Sequence, residues 1–255
     1  MKNKKIVGLL ASIGLLAVNS CASHYEMTGI QRSRILIDQR YDARPDEQAA
    51  AFLAPYKHKV DSIMGPVVGE TAHYMAAHRP ESDLSNLLAD ILVWGGKDFG
   101  EHPDFAVYNM GGIRAAFTQG KVTFGDVLDV APFENKICFL TLSGSQVLQL
   151  FSDMAAVGGE GVSKGVKLTI SRDGKLLSAK LNGKSIDPAA SYRIATLDYL
   201  AQGNDHLDAF KQKTQVVSPQ NEENNVRYII CNYFRAKAAK GEKVDARVEG
   251  RITVE

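Results

Sequence analysis

Two tight-turn dipeptides, Asp173-Gly174 and Asn182-Gly183, interrupt the stretch VKLTISRDGKLLSAKLNGKSI, in which apolar and polar residues alternate. Both supply the left-handed backbone that short hairpin loops require, so the stretch is predicted to fold as a small antiparallel meander. Elsewhere the apolar spacing is helical. ESDLSNLLADILVWG puts Leu84, Leu87, Leu88, Ile91 and Leu92 on one face, with Ser82 as its N-cap, and SGSQVLQLFSDMAA turns Val147, Leu148 and Phe151 to one side. RPDEQAAAFLAPYKHKVDSIMG sets Phe52, Tyr56, Val60 and Ile63 along an amphipathic helix that starts near Pro45 and stops at Gly65, with Pro55 inside it. Helices are also expected in TFGDVLDVAPF and QNEENNVRYIICNYFRAKA, and strands in PVVGET, DFAVYNM, ICFLTL, YRIATLDYL and GRITVE. Without a repeat or an internal linker, these elements predict one α+β domain, a single mixed α/β unit over residues 44–255.

The leading residues have a different character. Lys2, Lys4 and Lys5 precede a short apolar run from Ile6 to Val18, which is the pattern of an export signal over residues 1–20 rather than of a spanning helix. LAVNSC brings small residues up to Cys21 and resembles a bacterial lipoprotein cleavage site, with Cys21 as the lipidated first residue and residues 21–43 as a flexible tether. The expectation is an exported bacterial lipoprotein, held at a membrane through Cys21 and facing the periplasm or cell surface. Cys138 and Cys231 sit in apolar surroundings and are expected to be buried free thiols. A formal net charge of +1 provides no field to attract a polynucleotide, so any anion must be held by a local cluster.

Such clusters occur in three places. In NMGGIR, Asn109 is followed by a glycine pair that includes Gly112, which lets backbone amides approach a ligand, while Arg114 offers a planar fork of donors for phosphate or vicinal hydroxyls. PFEN carries Phe133 and Asn135, an aromatic face with a side-chain amide beside it. LDYLAQGNDHL carries Tyr199 at a strand end and Asp205 in the loop behind it. Two aromatics could clamp a flat base, an amide could bond its edge, and a carboxylate could accept from ribose hydroxyls. GDVLD matches the G-D-x-x-D pattern of metallophosphoesterases, but no histidine stands in a G-N-H or G-H-x-H setting, so no metal site is assigned to the chain. G-x-S-x-G is absent, and neither thiol of the mature chain has a histidine close by in sequence, so no catalytic residue is assigned either.

ESDLSNLLAD, YNMGGIRAAFTQGKVTFGDVLDVAPFEN, LSGSQVLQL, YRIATLDYLAQGND and GRITV, in that order, resemble the C-terminal, substrate-binding domain of the 5'-nucleotidase family. The resemblance implies that Arg114 holds the phosphate or ribose side of a nucleotide or nucleoside, that Phe133 and Tyr199 sandwich its base, and that Asp205 takes the ribose hydroxyls. It also implies contacts from Asn109, Asn135, Gly158 or Gly159 and, more loosely, Arg79. Asn204 stands where the family commonly has a glycine, which predicts a stiffer loop. Family members carry an N-terminal metallophosphoesterase domain with a divalent metal pair. The resemblance therefore implies no cofactor in this chain and a separate metallophosphoesterase chain as its partner. The alternative is a non-catalytic nucleoside- or nucleotide-binding lipoprotein for scavenging or sensing, and a third possibility is a remnant kept for an interaction surface.

Overall fold

The computed structural model describes residues 25–43 and 46–255; the expected export signal and Cys21 lie outside them. The chain divides into two compact units, Met1–Ala51 and Phe52–Glu255. The described part of the first has one short 3-10 turn, Gln39–Tyr41, whose N-cap Asp38 accepts from the Arg40 amide. No described helix is long and apolar enough to cross a membrane.

In chain order the elements are α1 (Glu47–Met64), β1 (Val67–Thr71), α2 (Asp83–Gly95), β2 (Phe105–Tyr108), β3 (Gly120–Thr123), α3 (Phe124–Val130), β4 (Ile137–Ser143) and α4 (Gly144–Ala156). There follow β5 (Gly161–Val162), β6 (Val166–Ile170), β7 (Leu176–Leu181), β8 (Lys184–Ser185), β9 (Ser191–Leu197), α5 (Asp198–Ala201), β10 (Thr214–Val217), α6 (Val226–Ala238) and β11 (Ile252–Val254). The central sheet has the order β10-β4-β9-β2-β5, in which β2 and β9 run parallel and the other pairs antiparallel. Between Val166 and Leu181 the expected meander forms as β6 and β7, with β8 beyond, and the chain ends by adding β11 parallel to β6. The architecture is mixed α/β, as the apolar patterns predict.

α2 forms where its sequence demands. Ser82 closes a capping box with Ser85, and Leu84, Leu87, Leu88, Ile91 and Leu92 are all buried. In α4, Val147 and Phe151 are fully buried, and Leu148 is only partly so, because the buried face turns through Leu150. The first helix differs from expectation in its surroundings. Phe52, Tyr56, Val60 and Ile63 lie along α1 but are all exposed, since periodicity fixes a face without supplying a neighbour for it. β3 and β10 were not expected; both are short and mostly solvent-facing, so neither shows an apolar run.

Cys138 and Cys231 are buried and free, and burial pushes the Cys231 thiol up to about 11, which leaves it protonated and unreactive at neutral pH. Asp126 of the GDVLD segment serves the fold: its Oδ2 accepts from both the amide and the hydroxyl of Thr123, which caps α3.

Candidate functional site

The C-terminal ends of the parallel pair β2 and β9 lie side by side, and each hands the chain to a tight turn. After β2, Asn109 leads into the 3-10 turn Met110–Gly112. After β9, α5 carries Tyr199 at its second position, so Tyr199 belongs to a single helical turn and not to the strand end that its apolar flanks suggest. The strand stops there because Asp198 turns its carboxylate back onto the backbone, where Oδ1 accepts from the Tyr199 amide at 2.8 Å. Between these turns lies a cavity of about 200 Å³ lined by Asn109, Gly111, Gly112, Phe133, Asn135, Tyr199 and Asp205.

Its walls are aromatic and its floor is polar. Phe133 is 49% exposed and Tyr199 37%, unusual for aromatic side chains that could otherwise pack into a core, so both rings face solvent at the cavity. Asp205 is held from two sides: the Tyr199 hydroxyl donates to Oδ1 at 2.8 Å and the Asn109 amide donates to Oδ2 at 2.7 Å. The bond to Asp205 raises the Tyr199 pKa, because the carboxylate favours a protonated phenol. Asp205 and His206 both adopt left-handed backbone, with φ of 56° and 63°. For non-glycine residues that conformation is stored strain, and here it aims a carboxylate into a cavity. Asn204 donates from Nδ2 to the Tyr199 carbonyl at 2.8 Å, which ties the loop to α5 and gives the expected stiffening a physical basis.

Gly112 has a steric role. A Cβ there would stand 2.6 Å from Asn109 Oδ1, so only glycine leaves room for the amide that orients Asp205. Asn109 Oδ1 is itself buried without a hydrogen-bond partner, packed against Gly112. Each carboxylate oxygen of Asp205 has a lone pair left after its protein bond, so the residue can still accept from two hydroxyls.

Other expected contact residues lie outside this lining. Arg114 is exposed, with Nη1 donating to the Gly111 carbonyl at 3.3 Å, and does not line the cavity. Arg79 donates from Nε to the Gly159 carbonyl at 2.8 Å and pairs through Nη2 with Glu160, which is 1% exposed. Arg79 and Gly158 line a separate groove beside Arg172. A wider polar depression of about 670 Å³ joins the base-sized cavity at Gly111 and Asp205 and reaches Arg79, His206 and Lys211.

A family model described as the 5'-nucleotidase, C-terminal domain, matches residues 67–212. The chain belongs to this family. Protein UshA of Escherichia coli (strain K12) is 26% identical over 206 residues, covering 80% of this chain but 36% of UshA. The trifunctional nucleotide phosphoesterase protein YfkN of Bacillus subtilis (strain 168) is 27% identical over 236 residues, covering 85% of this chain and 16% of the relative. Among solved structures, the 5'-nucleotidase precursor from Thermus thermophilus superposes with a TM-score of 0.70 at 24% identity, over 84% of this chain and 44% of that one. This 5'-nucleotidase C-terminal domain thus spans less than half the length of each of these relatives.

Both glycines of the expected pair line the cavity, and one residue that supports the site escapes sequence reasoning. Glu160 accepts the Met110 amide on one oxygen and Arg79 on the other, and so fixes the glycine turn from beneath. The signal for it was a lone carboxylate inside VGGEG, which reads as an ordinary loop residue.

Burial raises the Glu160 pKa above its ordinary 4.5, against the opposing pull of the Met110 amide and Arg79. The folded state therefore holds the proton more readily than the unfolded chain. This contribution to stability is fully present below 4.5 and is lost as pH rises through the folded value. Glu160→Gln is expected to remove that slope, so the stability difference between wild type and variant should change above pH 4.5; parallel urea-midpoint curves across pH would contradict it.

Tyr199→Phe keeps the ring and removes only the bond to Asp205. It is expected to weaken ribonucleoside binding by about 1 kcal/mol, the usual net worth of one hydrogen bond. Calorimetric titration with adenosine checks this, and an unchanged Kd would mean that the hydroxyl does not orient the carboxylate.

Proposed function

We propose that this chain is the nucleotide- or nucleoside-binding component of a 5'-nucleotidase-type phosphohydrolase, which presents substrate to a separately encoded metallophosphoesterase. The observation that carries the reading is the convergence of two solvent-facing rings, Phe133 and Tyr199, with the doubly held carboxylate of Asp205 on one small cavity. A base entering between the rings gains about 1–3 kcal/mol from stacking, whichever base it is. The ribose diol then meets Asp205, and the phosphate extends toward the wider depression, where Arg79 and Lys211 supply positive charge. Asn135 lines the same cavity, which supports assigning its amide to the base edge.

The work assigned to this chain is capture and orientation. Hydrolysis is assigned to the partner, whose divalent metal pair would polarise the phosphate and generate the attacking oxygen. Lipidation at Cys21 would hold the binding domain at the membrane surface, where a second anchored or exported chain meets it at high local concentration.

Purified protein should bind AMP and adenosine, seen as a rise in melting temperature and as heat on titration; no response at millimolar ligand would sink the reading. Adding the metallophosphoesterase from the same source should then raise AMP hydrolysis above that enzyme's own rate. Binding without such an increase would make the chain a binder for scavenging or sensing.

A further inference from the structure

We infer that Asp198 and Arg227 are positioning residues that set the gap between the two aromatic walls, an inference that rests on the nucleotide-binding reading. Phe133 sits in an exposed loop with no secondary structure of its own, so its ring could occupy many positions unless the backbone beneath it is fixed. It is fixed on both sides. On one side, Arg227 donates from Nη2 to the Pro132 carbonyl at 2.8 Å. On the other, the Val226 amide donates to the Asn135 carbonyl at 2.9 Å, and Lys136 bridges to Asn225.

Asp198 joins this loop to the opposite wall. Its Oδ1 accepts from the Lys136 amide at 3.0 Å and from the Tyr199 amide at 2.8 Å, while its own amide donates to the Lys136 carbonyl at 2.9 Å. One carboxylate oxygen thus holds the loop of Phe133 and the turn of Tyr199 at a fixed separation. The two walls come from segments far apart in sequence, and Asp198 is the point where both are measured against each other.

Arg227 keeps its contact at a disadvantage. Its Nε–H is buried without an acceptor, although the residue sits at the start of α6, where an arginine could otherwise extend into solvent. The guanidinium position follows the loop rather than its own solvation. The α6 N-cap supports it from the helix side, since Asn225 Oδ1 accepts from the Arg227 amide at 3.1 Å. Neither Asp198 nor Arg227 lines the cavity, so any effect on a ligand must pass through the walls.

The test compares two ligands that share the sugar and differ in the base. Adenosine needs the aromatic gap; ribose 5-phosphate reaches Asp205 without it. Arg227→Ala and Asp198→Ala are expected to raise the Kd for adenosine about fivefold to tenfold, the share of stacking that a misplaced ring forfeits, and to leave the Kd for ribose 5-phosphate within about twofold. Arg227→Lys, which can still reach the Pro132 carbonyl, should recover most of the loss. Asp198→Asn keeps an acceptor oxygen for both amides and should bind adenosine close to wild type; if Asp198→Ala fails to fold, Arg227→Ala, at an exposed contact, carries the test. Equal losses for both ligands would show a general structural role and overturn the inference; so would unchanged adenosine binding. A wild-type protein that binds neither ligand fails earlier and for a different reason, because it overturns the nucleotide reading itself.

Discussion

Replacing Glu81 with alanine is expected to lower the melting temperature by roughly 10 °C, the largest single-site effect we foresee in the domain. Glu81 is 5% exposed, and its carboxylate accepts four donors. Oε1 takes the Asn86 side-chain amide at 2.7 Å and the Glu249 amide at 2.8 Å; Oε2 takes the amides of Arg251 at 2.7 Å and Ile252 at 3.4 Å. Alanine would leave the buried amides of Arg251 and Ile252 unpaired and take the partner of the part-buried Glu249 amide, and each orphaned buried donor costs about 1–3 kcal/mol before relaxation. The total of about 3–5 kcal/mol converts at about 2–4 °C per kcal/mol for a domain of this size. Differential scanning calorimetry measures it, and Glu81→Gln, which keeps one acceptor oxygen, should fall between the two. A drop of under about 3 °C would mean that water replaces the carboxylate and that the C-terminal strand is not held as described.

The second large effect concerns Asp205. Asp205→Ala should weaken adenosine binding by about 3 kcal/mol, or roughly a hundredfold in Kd, because hydrogen bonds to a charged acceptor are worth about 1.5–3 kcal/mol each and the ribose diol makes two. Part of that loss is indirect, since the Asn109 amide and the Tyr199 hydroxyl lose the partner that orients them. The discriminating measurement uses 2',3'-dideoxyadenosine, which presents the same base and no diol. Its affinity should change far less. Equal losses for the two nucleosides would contradict the ribose role and recast Asp205 as a strut for the Tyr199 ring.

How much of this could be read from the sequence depends on how far apart the interacting residues lie. The capped stripe of α2 was legible because Ser82, Ser85 and the leucines interact within a few turns of one helix. The meander was legible because Asp173-Gly174 and Asn182-Gly183 settle their backbone locally; Asn182 does adopt positive φ. Phe133, Asn135, Tyr199, Asp205 and Asn109 were visible as residue types with the right chemistry, and the structure gathers them onto one cavity. The supports of that cavity were not visible. Glu160 looked like a loop carboxylate until Met110 and Arg79 were brought to it, and Asp198 looked like part of a strand until its oxygen was seen to take two amides from different segments. Periodicity also overreached at α1, where Phe52, Tyr56, Val60 and Ile63 form a stripe that lies exposed.

The clamp on the closing strand bears on how this chain is made. Among the described residues, Glu81 finds its backbone partners at Glu249, Arg251 and Ile252, separations of 168 to 171 residues. A nascent chain that still lacks residues 249–252 offers Glu81 the Asn86 amide but none of its backbone donors, so the carboxylate cannot be buried as in the finished domain and closure waits for that strand.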